Sequence, residues 1–190
     1  MTSRNTFFRS AHDLGAAAWF GGSLAGVTSI NGTASDADST ERTRYAADGW
    51  ARWAPVSVAA IGAHLVGGLG LLNANRGRLR AQRGAMANTI VKSALTVAAM
   101  GTTAYSGMLG AKVAAAGKVP AKGATEPNAA TPEDTATAQK QLRVLQWVTP
   151  MLTGAVIVLG AMQGEQQRPV EILRASVKKA VSAALPSLSR

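Results

Sequence analysis

An all-α membrane protein, a bundle of four transmembrane helices with an amphipathic surface helix at its C-terminal end, is the fold class this sequence predicts. Three observations predict it. Four stretches, Leu14 to Ser35, Ala54 to Asn75, Ser93 to Ala111 and Val144 to Gly164, contain no Asp, Glu, Lys or Arg, although 16% of the chain is charged. Each is close to the ~20 residues that a helix needs to cross a ~30 Å hydrocarbon core. The charges gather between these runs, where they set topology. A soluble Ala-rich bundle would instead place Lys and Glu on the outer face of every helix, and these runs offer no such face.

The spans are expected at about 11–31, 53–74, 90–111 and 144–164, within a transmembrane domain covering 1–168. They are built from Ala and Gly more than from Leu, Ile and Phe, so mean hydropathy is only +0.08 and each span inserts with modest favourable free energy. No small-x-small cleavage site follows the first run, so that run is expected to stay as a helix. With the N-terminus in the cytoplasm, twelve of the 20 basic residues lie inside and eight outside, and seven of the ten acids lie outside. The shortest loop, Arg76 to Arg83, carries four Arg and no acid. Short loops count most in the positive-inside rule, so both termini are expected in the cytoplasm of a bacterial cell, with the protein multi-pass in its plasma membrane.

The first outer loop is read as running to Trp50 and Trp53, aromatics suited to the headgroup level. The second, Lys118 to Gln141, is rich in Pro, Thr and Ala and reads as flexible or irregular. Thr131 looks like the N-cap of the fourth helix, with Pro132 in its first turn and Glu133 and Asp134 near its positive end. Pro150 is placed to kink that helix. The tail, 169–190, repeats Val170, Leu173, Val177, Val181 and Ala184 along one stripe, with Arg174, Lys178 and Lys179 off it. Such a helix lies on an anionic membrane surface or docks on a partner subunit through the same stripe.

Helix packing is signalled by two G-x-x-x-G patterns, Gly22 to Gly26 and Gly160 to Gly164, since small residues let helices approach in lipid. No Cys is present, which removes disulfides, thiolate metal sites and catalytic thiols. No Ser-His-Asp order, H-E-x-x-H or P-loop is found, so no enzyme activity is expected. The net charge of +10 lacks the basic, aromatic-interleaved groove that would point to nucleic acid.

The two histidines are the candidate ligands. His64 falls mid-span, where an ionisable side chain faces the protein interior. It is expected to be buried and hydrogen-bonded to a hydroxyl of a neighbouring span, Tyr105 and Thr102 being favoured among a set that includes Thr96, and to bind no metal. His12 falls at the start of span one beside Asp13. Their depths are expected to differ by ~15 Å at 1.5 Å per residue, which disfavours one haem held by both. Asp13 and Lys92, at equal depth on spans one and three, are expected to form a structural salt bridge.

His12, Trp19, Gly21 and Gly22 fit a pattern His-x6-Trp-x-Gly-Gly. This opening helix resembles that of the CopD-like copper-resistance membrane proteins and of related small uncharacterised bacterial membrane families. The resemblance implies copper handling, with His12 as the residue carried over.

Two function classes follow. One is a non-catalytic accessory or assembly subunit of a larger membrane complex, its partners the lipid bilayer and other membrane subunits, with no cofactor. The other is a small transporter or a metal- or haem-handling protein using haem or copper. The second has a signature: His12 and His64 facing a common cavity.

Overall fold

The computed structural model describes residues 5–81 and 83–165; the C-terminal stripe from Val170 onward lies outside the described residues. The chain is almost entirely helical. Helix α1 (Thr6–Ala25) runs without a break through a π-helical turn (Gly26–Ile30) into α2 (Asn31–Ser35). The long helices α3 (Arg42–Ala81), α4 (Arg83–Ala115) and α5 (Glu133–Glu165) follow, with a two-stranded antiparallel hairpin, β1 (Ala121–Gly123) and β2 (Glu126–Pro127), between α4 and α5. α1 packs against α3 and α5, and α4 packs against α3 and α5. Two stretches, Arg42–Gly77 and Glu133–Gly164, are long and apolar enough to cross a membrane, each with a window of mean hydropathy 1.7.

Each helix extends past its uncharged run, because Ala, Leu, Arg, Lys and Glu at the ends favour helix irrespective of what surrounds them. α3 shows this most. It starts at Arg42, so Trp50 and Trp53 lie inside a helix, and the first loop shrinks to 36–41. Both rings turn inward: Trp53 lies over Gly22 and Trp50 over Gly26. The Trp50 indole N–H donates to Asn31 Oδ1 at 2.8 Å, and the Asn31 amide donates to Gln146 Oε1 at 2.9 Å. α4 stops at Gly117, whose φ of 68° suits the left-handed residue that closes a helix, and its N–H bonds the Ala114 carbonyl at 3.1 Å. Pro55 and Pro150 sit inside α3 and α5.

The core is small-residue packing around one large ring. Trp19, Ala60 and Ala99 form its centre, with Ile61, Met100 and Leu152 against them. Leu109, Val113 and Ala138 join α4 to α5 nearer the hairpin.

The stretch between α4 and α5, expected to be irregular, is ordered by long-range bonds. The Arg42 guanidinium donates to the carbonyls of Ala37 (2.9 Å), Ala121 (3.1 Å) and Lys122 (2.7 Å). Gln139, fully buried, donates to the carbonyls of Gly123 and Ala124. Glu41 pairs with Lys118 and Arg44. Thr131 does not cap α5; its hydroxyl accepts the Asn128 N–H at 2.9 Å and donates to the Pro120 carbonyl. Sequence adjacency missed most of these bonds because their partners lie 11 to 80 residues away.

Candidate functional site

The end of the bundle where α3 hands over to α4 is built differently. α1 and α3 are antiparallel and touch through two glycines. A Cβ at Gly15 would stand 2.5 Å from the Ala60 carbonyl and the His64 nitrogen, and one at Gly67 would stand 2.5 Å from the Phe8 carbonyl and closer still to the His12 nitrogen. Real Cβ atoms do not approach backbone so closely, so only glycine permits this crossing. Three residues before each glycine stands a histidine. His12-Asp13-Leu14-Gly15 and His64-Leu65-Val66-Gly67 are the same H-x-x-G arrangement on two antiparallel helices, and the crossing relates them by a local two-fold.

The two histidines lock reciprocally. His12 Nδ1 lies 2.9 Å from the His64 carbonyl, and His64 Nδ1 lies 3.0 Å from the His12 carbonyl. The rings stack with centroids 4.0 Å apart and planes inclined by 21°. Trp19 meets the His64 ring edge-on, its centroid 6.4 Å away, and anchors its own N–H on Thr103 Oγ1 at 3.1 Å. His12, His64 and Trp19 are all buried.

The tautomers follow. A carbonyl can only accept, so each Nδ1 carries a proton and, in the neutral ring, each Nε2 presents a bare lone pair. His12 Nε2 accepts from the Lys92 ammonium at 2.8 Å. The nearest group to His64 Nε2 is the Thr96 hydroxyl at 3.5 Å, but that hydroxyl is 2.9 Å from the Lys92 carbonyl. Its single proton goes to the shorter, well-made bond, and His64 Nε2 is left almost unused. A ring nitrogen fixed by an Nδ1–H bond to a carbonyl, with Nε2 open, is the arrangement of a ligating histidine.

Both rings line one cavity of about 620 Å³ between the four long helices. Arg9, Asp13 and Lys92 supply its charge, and Leu65, Leu72, Val97, Met100 and Ile157 much of its apolar wall. Its volume falls within the ~300–1,000 Å³ of ordinary small-molecule sites, which share this mix of apolar wall and few polar groups.

Several expectations are corrected by this geometry. His12 and His64 are stacked rather than ~15 Å apart in depth, because α3 slides past α1 until Gly67 meets His12. Lys92 bonds His12, and Asp13, which is exposed, makes no ion pair with it among the described residues; Asp13 lines the same cavity. Tyr105 bonds Gln141 and Thr102 accepts from Thr149, so neither serves His64. Gly22 and Gly26 receive tryptophan rings rather than a helix backbone, Gly160 has the Lys92 ammonium as its neighbour, and nothing lies against Gly164. The repeated H-x-x-G was the signal available in the sequence for Gly15 and Gly67. Among the described residues no three His, Cys, Asp or Glu come together.

Comparison with protein-family models, with curated proteins and with solved structures returns no match.

Proposed function

We propose that this chain is a four-span integral protein of a bacterial plasma membrane, with both termini cytoplasmic, that handles a metal carried in an anionic organic ligand of the haem type. The membrane part is supported by the four uncharged runs, by the two apolar helices and by the large side chains turned outward on α3, α4 and α5, among them Val58, Met108 and Met151 at 70%, 63% and 73% exposure. The observation that carries the ligand reading is the shared cavity, lined by both His64, whose Nε2 has only the Thr96 hydroxyl at 3.5 Å, and Lys92.

Electrostatics select the ligand class. Lys92 already holds His12 Nε2, and a bare cation ~4 Å from an ammonium is repelled by about 4 kcal/mol per unit charge at an effective dielectric of ~20. A divalent ion would meet roughly twice that, with Asp13 the single carboxylate of the cavity wall against the two cations Lys92 and Arg9. A tetrapyrrole brings its own negative groups, which Lys92 and Arg9 would pair, while its apolar body meets the leucine and valine wall. His64 would ligate the metal, and His12 would hold the His64 ring in place. Bound there, the metal centre would supply electron transfer or ligand exchange next to the bundle core.

Purification in a mild detergent, without added cofactor, tests this. The expected result is a coloured protein with a Soret band, lost in His64→Ala and retained in His64→Ala supplied with imidazole. A colourless, metal-free protein that co-purifies with larger subunits would overturn the proposal and leave the accessory-subunit reading in its place. Orientation is checked in the same membranes by single cysteines at Ala130 and Ala81: only position 130 should label from outside.

A further inference from the structure

The cavity that holds the two histidines has an open side. Leu69 on α3 and Val97 on α4 line it, yet they are 66% and 68% exposed. Leu72 and Ser93, on the same faces of the same two helices, line it as well and are also exposed. A side chain two-thirds exposed cannot close a wall, so the cavity is continuous with the outer surface along the α3–α4 gap. Its deep end is shut, because Trp19, Ala60 and Ala99 pack there with Met100 against them. The wall is also graded. Asn75 on α3 and Thr89 and Lys92 on α4 lie toward the α3–α4 connection, whereas Leu65 and Met100 on the same helices line it up to about 15 Å deeper at 1.5 Å per residue.

We infer that the α3–α4 gap is a lateral portal to lipid, and that the site is filled through it from the inner leaflet by an amphiphile with an apolar body and an anionic edge. This deepens the ligand reading and rests on it, as it rests on the membrane span proposed above. In that orientation the polar end of the cavity lies at the level of the cytoplasmic headgroups, and the rim of Leu69 and Val97 lies among acyl chains. Such a rim is at ease there, since lipid tails are as apolar as leucine. It also excludes bare ions, because a charge crossing it meets the penalty of a charge placed in hydrocarbon. Electrostatics choose which edge of the ligand stays behind. Arg9 and Lys92 outnumber Asp13, the single carboxylate of the described wall, so an acid group completes the polar end. A tetrapyrrole with its carboxylates on one edge has this division. It enters sideways, carboxylates trailing at headgroup depth, and its metal reaches His64 without passing through the closed core.

The chain lacks cysteine, so a nitroxide attached at Val97→Cys in reconstituted vesicles reads the portal without any ligand. Relaxation by oxygen, which concentrates in lipid, should exceed relaxation by a water-soluble nickel chelate. The same label at Val58→Cys, a position 70% exposed on α3 and away from the cavity, sets the lipid standard. Nickel-dominated relaxation at position 97 would make the gap aqueous and overturn the portal. Loading is read as growth of the Soret band when vesicles of the ligand-stripped chain are mixed with vesicles carrying haemin. Leu69→Trp should slow uptake, and release to apomyoglobin, by the same factor of about ten, equivalent to about 1.4 kcal/mol on the barrier. Val58→Trp should slow neither. Unchanged rates in Leu69→Trp, or uptake slowed without release, would overturn lateral entry. A wild-type chain with lipid-like relaxation at position 97 but no Soret band would overturn the ligand reading and the entry of a tetrapyrrole, and the opening to lipid would stand.

Discussion

The two ends of the bundle handle polar groups in opposite ways. At the hairpin end they are consumed by the fold: Arg42 donates to three carbonyls, Gln139 to two, and Glu41 holds two cations. At the α3–α4 end four polar groups converge, and the result is a cavity with one imidazole nitrogen nearly unpartnered. The first network is not complete either, since Gln139 Oε1 is buried without a partner among the described residues; the second differs in that its polar groups line a cavity. That cavity is the reason for proposing the histidine end as the ligand site.

The largest effect expected from breaking that contrast is at the glycines. Gly15→Ala or Gly67→Ala drives a methyl into the facing backbone, which cannot move as a flexible side chain would. Each should cost at least the 1–3 kcal/mol of ordinary overpacking and should separate the stacked rings, while Gly21→Ala, with nothing within 4 Å of its Cβ position, should be silent. Thermal unfolding in detergent measures the first, and loss of the proposed Soret band the second. Equal melting of all three variants would mean that α1 and α3 do not cross here.

Arg42→Ala comes next. It leaves the carbonyls of Ala37, Ala121 and Lys122 without their donor, and bonds to a charged donor of this kind together suggest a loss of about 2–3 kcal/mol. The loss should be confined to the hairpin end. Hydrogen exchange should quicken over 119–131, with the cofactor spectrum unchanged; a changed spectrum would show the two ends to be coupled.

The smallest effect is a pH dependence. Lys118 first, then Arg44, holds the Glu41 carboxyl below its ordinary value of 4.5. A depressed carboxylate stabilises the folded state above its unfolded pKa, and that contribution is lost as the pH falls through the lower, folded value. Exchange in the 119–131 segment should therefore rise with acidity below about pH 4.5, and Glu41→Gln should remove the dependence. Because Lys118 and Arg44, its partners, are solvent-exposed, screening keeps the amplitude small, and added salt should shrink it further.

Helix content and the positions of the long helices were legible from the uncharged runs, because local composition decides whether a segment is helical and apolar. The burial of His64 was legible for the same reason, as an ionisable residue in the middle of an apolar run. The sequence by itself thus determined four long helices, an interior histidine and a cluster of charges at the helix ends. It could not set how far one helix slides along another. That sliding is decided by where two glycines let backbones touch, and each glycine meets backbone 45 to 59 residues away. A shift of the α1–α3 register brought His12 to His64, moved Lys92 from Asp13 to His12, laid Trp50 and Trp53 over the glycines of α1, and set Arg52 level with an uncharged run. Only the tertiary structure fixes such a register, because helix packing depends on shape complementarity between distant surfaces, whereas composition and periodicity report one segment at a time.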